Sequence, residues 1–260
     1  MLSANATEPR KASGSDDVGL LGAVRAFGVM LGGSIALNLA ASASILATAR
    51  AAARRRPPHP LAAAGTVATL AYVLRVRRWL LTWGATPEEL RRPLPEDELV
   101  PDPGSQSTRA VTIDAPVEEV WPWLAQIGQD RGGFYSYEWL ENLAGCRMRN
   151  ADRIHPEWQL REVGETVLLH PASGLRVARF EPDRVLALES WGAFVLEPID
   201  ERRTRLIARG RSKRGLASAA YALLLEIPHF VMERKMLLGI KARAERVASA
   251  AQARSMPSSA

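Results

Sequence analysis

Three side chains able to move protons fall within six residues in "NADRIHPEWQ": Asp152, His155 and Glu157. An aspartate near a histidine can pair as base and orienting group, and imidazole titrates near neutral pH. The i, i+3, i+5 spacing on a loop that contains Pro156 fits no metal motif. A solvated or turn-capping loop carries the same residues. A second candidate is "RGGFYSYEWLENLAGC", residues 131–146. It concentrates Phe134, Tyr135, Tyr137 and Trp139 in a chain with only 6% aromatics. Tyrosine offers an apolar face and a hydroxyl that can orient a ligand, so these residues suit a pocket mouth. They equally suit helix–sheet packing, because aromatics dominate cores. Trp123, Trp158 and Phe230 join them as candidate ligand-binding residues. His170, His229 and Arg131 read as structural groups. Cys146, the single cysteine, excludes an intramolecular disulfide and a Cys-cluster metal site.

Other chemistries lack support. No G-x-S-x-G, P-loop or dinucleotide fingerprint occurs. The net charge is +6, but the arginines are scattered or flank apolar runs rather than forming one basic face with stacking aromatics. Nucleic acid is therefore not an expected partner, and no metal or cofactor is expected.

The elements that must hold these residues begin after a polar tail, 1–17. From Ala26 to Ala49 no residue is charged. That is about 36 Å of helix, against a hydrocarbon core of about 30 Å. "RAAARRRPPHP" ends the run. A second, Leu61–Leu74, is short for a span unless Arg75, Arg77 and Arg78 snorkel. Gly28 with Gly32, and Ala64 with Ala68, give small-xxx-small faces for helix contact. Residues 18–83 thus read as membrane-anchor helices, either a hairpin or one span plus an interfacial helix. A pair of buried soluble helices and a signal peptide are the alternatives. Counting Lys and Arg on either side places the main domain in the cytosol, at the cell membrane.

Residues 84–106 hold five prolines and no periodic pattern, which reads as an ordered or semi-extended linker. Residues 107–250 form one unit, followed by a tail, 251–260. "TRAVTIDA" alternates as a strand, with Val111 and Ile113 on one face. Pro116, Glu118 and Glu119 open a helix with the stripe Val117, Val120, Leu124 and Ile127, and Pro122 is expected to give a kink or a short first turn. "SYEWLENLAG" reads as a second short helix. Strand patterns follow at 165–171, 175–183, 184–191, 193–200 and 203–212, with turns at "EPDR" and "PIDERR". A long helix over 216–250 closes the chain, with a kink expected at Pro228. The nearly apolar 218–232 suits a place between sheet and bilayer, or a homodimer contact.

"TIDAPVEEVWPWLAQIGQDRGGFYSYEWLENLAG" and "NADRIHPEWQ", with "WGATPEELRRPLPEDELVP" before them and "HFVMERKMLLGIKARAE" after, resemble the SRPBCC superfamily. This is the helix-grip group of START-like and polyketide-cyclase-like proteins, and more narrowly the chain resembles its uncharacterised bacterial membrane-anchored members. His155 departs from the apolar residue usual in that pattern. The resemblance implies an α+β helix-grip fold, in which a curved antiparallel sheet wraps a long C-terminal helix beside two short helices. It also implies an apolar cavity, with a hydrophobic small molecule or lipid as partner. It does not imply a reaction. Tethered binding is the leading reading. A cyclase, aromatase or hydrolase using Tyr135, Tyr137 or His155 is the second, and a structural or regulatory membrane protein the third.

Overall fold

The computed structural model describes residues 15–255. Of the expected tails, 1–14 and 256–260 lie outside the described residues. Residues 15–17 open a helix and 251–255 close one. α1 (Ser15–Ala53) contains Gly32–Ala53, the one described helix that by itself is long and apolar enough to cross a membrane. After 54–59 the chain turns back into α2 (Pro60–Ala71). The Nδ1 of His59 accepts from the Leu61 N–H, and Pro60 stands in the first turn, where no N–H is needed.

The second helical run is longer than its uncharged stretch. α2 continues through a π-helical turn (Tyr72–Arg77) into α3 (Arg78–Thr82). Arginine is a good helix former, and Arg77 finds a partner in Glu226, donating at 2.9 and 2.8 Å. The two arms meet at small residues. A Cβ on Gly65 would come within 2.2 Å of Ser44 Oγ, and the hydroxyls of Thr48 and Thr66 share a hydrogen bond of 2.9 Å. The Gly28/Gly32 pair does not make this contact, since nothing lies within 4 Å of either Cβ position.

Residues 84–102 are ordered and hold two short helical turns. Thr86 and Glu89 form a capping box on α4 (Pro87–Arg91), a 3-10 turn follows (Pro95–Leu99), and β1 (Pro103–Ile113) begins four residues before the expected boundary. Next come α5 (Val117–Ala125), α6 (Glu138–Leu143), a 3-10 turn (Pro156–Trp158), and β2 (Thr166–His170), β3 (Ser173–Glu181), β4 (Val185–Leu188), β5 (Gly192–Asp200) and β6 (Arg203–Lys213). These strands form one antiparallel sheet in the order β1-β6-β5-β4-β3-β2. Pro122 lies inside α5, which continues to Ala125.

The C-terminal helix is broken. α7 (Leu216–Leu224) and α8 (Glu226–Ser255) meet at Leu225 with a 69° bend. The break lies upstream of Pro228, the expected kink. A proline ring clashes with the carbonyl four residues before it, here Leu224, whereas its own place in the first turn of α8 needs no N–H. α8 lies on the front of the sheet. Leu237, Ile240 and Ala244 bury against Ile113, Val120, Leu124, Leu186, Leu196 and Leu206. At this size each fully buried aliphatic side chain contributes about 1.5–3 kcal/mol.

Candidate functional site

The front face of the sheet tapers. Toward one end its side chains are Ile113 on β1, Leu206 on β6 and Leu196 on β5, all buried against α8. Toward the other end, β1 presents Ser107 and Ser105, paired across the ladder with Gly210 and Ser212 of β6. Short side chains there cannot reach α8, and a void remains. α7 crosses its open side, tied at its base by the Ser212–Ser218 hydroxyl pair at 2.8 Å.

The void has two lobes. One, of about 370 Å³, is lined by Ser105, Ser107, Arg109, Leu175, Ser190, Gly210, Ser212 and Glu226. The other, of about 330 Å³, is lined by Phe134, Leu140, Glu141, Cys146, Met148, Met232, Glu233 and Met236. Leu169, Trp191, Tyr221 and His229 border both. Volumes of this order suit small organic ligands.

The polar groups at the junction are almost all engaged. Arg109, 1% exposed, pairs with Glu233, donates to the Leu80 carbonyl at 2.8 Å, and lies 5.3 Å from the centre of the Phe230 ring. Tyr221 Oη is hydrogen-bonded to His229 Nδ1. Burial pushes the Tyr221 hydroxyl above its ordinary range and the His229 imidazole below it. A neutral tyrosine–histidine pair therefore separates the lobes, beside the Trp191 ring at 5.8 Å from His229.

The residues singled out by sequence distribute unevenly. Phe134 lines the apolar lobe and packs at 5.6 Å on Trp191. Trp123 and Tyr135, each 1% exposed, form an edge-to-face pair in the core. Tyr135 shares a 2.9 Å hydrogen bond with Gln126. It has φ +54°, a turn enforced by Gly133 at φ +70°, where a Cβ would strike the Asn150 amide at 2.7 Å. Tyr137 packs at 6.3 Å on Trp139, which is 44% exposed. Phe230 is buried under Trp79 and Trp83. None of Trp123, Tyr135, Tyr137, Trp139, Trp158 or Phe230 borders either lobe.

Asp152, His155 and Glu157 also stand apart from the void. The Asp152 side chain is exposed, 3.9 Å from Arg243. His155 stacks on Trp158 at 3.8 Å and pairs with Glu157 at 3.1 Å.

Sequence reasoning missed Arg109, Glu141, Tyr221 and Glu233. Arg109 shares the strand face of Val111 and Ile113, and Glu226 and Glu233 interrupt the apolar stripe of α8. A charge in register with a buried face is the signal that marks such groups.

No protein-family model matches the chain, and no curated protein aligns with it. Among solved structures, it is similar to a protein from Arthrobacter aurescens at 16% identity and TM-score 0.32, over 54% of this chain and 86% of that one. It is also similar to a Polyketide_cyc-like protein from Corynebacterium glutamicum, at 14% identity and TM-score 0.31, over 58% and 96%. A third is a protein from Bordetella parapertussis, at 18% identity and TM-score 0.27, over 56% and 84%. All three TM-scores lie below 0.5, and none of these likenesses bears on ligand or reaction.

Proposed function

We propose that the protein is a membrane-tethered binder of a hydrophobic small molecule or lipid, of the SRPBCC helix-grip type, with its main domain in the cytosol. The observation that carries this reading is the two-lobed void between sheet and α8, apolar on the side of α6. An apolar helix hairpin beside that void supports tethering, which raises the local concentration of a bilayer-borne ligand. Asn38 of α1 reaches the Leu223 carbonyl of α7 at 3.4 Å, so the hairpin abuts the helix that covers the void.

The test is mass spectrometry of organic extracts from the full chain and from Ala144→Trp, which fills the mouth of the apolar lobe. A defined apolar molecule retained by the first and lost by the second is the expected result. Equal retention by both would remove the lobe as its binding place. A second reading, proton transfer on the bound molecule, is favoured by the Tyr221–His229 pair in the void. It requires the molecule recovered to differ chemically from the molecule loaded, and the difference to vanish in His229→Phe.

A further inference from the structure

Glu141 projects from α6 into the lining of the apolar lobe without a partner of its own. The residue is 8% exposed, and its Oε2 is shut from solvent with no hydrogen bond. Around it the lobe is built from Phe134, Leu140, Met148, Met232 and Met236. A carboxyl desolvated in this way either takes up a proton or draws in a donor or cation, because an unpaired buried charge is too costly.

No described group supplies that partner. On its own helix, Glu138 adds negative charge and is itself engaged by the Asn150 N–H at 2.6 Å. The Cys146 thiol donates to the Leu169 carbonyl at 3.2 Å. From α7 and α8, Tyr221 and His229 satisfy each other, and Glu233 is held by Arg109. Burial, and then the charge of Glu138, push the Glu141 carboxyl up to about 7. Glu96 on the other face of the sheet is also buried and unpartnered, but its void is about 30 Å³, room for a water molecule only. Glu141 opens on about 330 Å³, room for an organic ligand.

We infer that Glu141 is the polar anchor of the apolar lobe, and that as a neutral acid it donates a hydrogen bond to the acceptor oxygen of an uncharged, apolar ligand, a ketone or ester carbonyl. The inference rests on the reading of the void as a binding site. A carbonyl needs one donor and leaves no charge in the cavity. An ammonium ligand would have to shed its water together with the carboxylate, and the desolvation of both charges offsets their attraction. Binding of the carbonyl ligand then follows the protonated fraction of Glu141. It is strongest below pH 7 and weakens as pH rises through that value.

The experiment is equilibrium dialysis of the full chain in detergent micelles against labelled undecan-2-one and undecane, at pH 5.5 and 8.5, with protein-free micelles as blank. The ketone should bind about thirtyfold more tightly at pH 5.5 than at 8.5. Glu141→Gln keeps a donor at every pH and should hold the ketone equally at both. Glu141→Leu should lose the preference for ketone over alkane. Infrared spectra of the wild-type chain with carbonyl-labelled undecan-2-one, which do not depend on any variant folding, should show a lowered carbonyl stretch at pH 5.5. Ketone bound with no pH dependence and an unshifted stretch would overturn the role of Glu141 while leaving the cavity reading intact. Tighter binding of the ketone at pH 8.5 would overturn it as well. Neither probe binding at either pH would overturn the cavity reading itself, and this inference with it.

Discussion

The two faces of the sheet solve the same problem in opposite ways. The back face is closed by the chain's own residues 84–100. Leu94 packs on Ala110, Val185, Val195 and Ile207, and three arginines of β6 fasten the segment. Arg205 pairs with Glu89 at 2.7 Å, and Arg209 and Arg211 both pair with Asp97, at 2.8 and 3.2 Å. Arg209 also donates to the carbonyls of Arg92 and Glu89. The front face is gripped by α8 over half its length and left open over the other half, where serines and glycine replace aliphatic side chains. Its fully buried ion pair, Arg109–Glu233, stands at the edge of the void. Each face leaves a buried carboxyl without an internal partner, Glu96 behind and Glu141 in front. The space beside Glu96 is about 30 Å³ and that beside Glu141 about 330 Å³, so only the front carboxyl is left for a ligand to complete.

The front ion pair should be the most sensitive point. Glu233→Ala strands the Arg109 guanidinium in the core and should cost about 3–5 kcal/mol, read from chemical denaturation of the full chain in micelles. The double variant Arg109→Met/Glu233→Leu should recover most of that loss. A double variant as unstable as the single one would mean that packing, rather than the stranded charge, sets the cost.

Arg209→Ala tests the back face at a single side chain that is 4% exposed. Loss of its charged hydrogen bonds should cost about 2–3 kcal/mol and expose residues 92–100 to limited proteolysis. Unchanged proteolysis would show that Leu94 alone holds the segment.

Two carboxyls, Glu89 behind the sheet and Glu141 in front, should answer pH in opposite directions. Burial opposes ionisation of Glu89, but Arg205 and the Thr86 N–H outweigh it and hold its carboxyl below the usual range. Its contribution is present above the unfolded value and lost as pH falls through the folded one. The Glu141 carboxyl rises from 4.5 to about 7, so the folded chain binds the extra proton. Its contribution is full below pH 4.5 and is lost as pH rises through 7. Glu141→Gln should therefore be more stable than the parent at pH 8.5 by about 2–3 kcal/mol, and close to it at pH 4.5. Equal stability at both values would place that carboxyl in contact with water.

The smallest effect belongs to the hairpin pair Arg203–Asp200, with both side chains about half exposed. Arg203→Ala should leave the thermal melt nearly unchanged, because solvent screens an exposed pair. A loss as large as that of Arg209 would mean that exposure does not separate the two kinds of pair.

Much of this architecture is written in local patterns. Alternation marks β1, and turn residues bound the other five strands within a few residues, although β4 is buried at all four positions. The α5 stripe and the stripe of α8 from Leu237 to Ala244 follow from the helical period. Other features have no local mark. The uncharged run ends at Leu74 while the helix runs to Thr82, since Arg77 is stabilised by Glu226, which is 149 positions away. Residues 84–100 read as a linker because their packing partners are arginines of β6 a hundred residues downstream. The aromatic cluster at 134–139 announces a special place, yet most of it is spent on core and surface packing, and only Phe134 reaches the void.

The sequence by itself determined the strands, the α5 and α8 stripes, the apolar first arm and the α+β order of elements, because each depends on residues a few positions apart. The tertiary structure decided where the chain is hollow. A void exists only where several tapering faces meet, and Ser107, Gly210, Tyr221 and Glu141 carry no sign of one another until β1, β6, α7 and α6 are brought together.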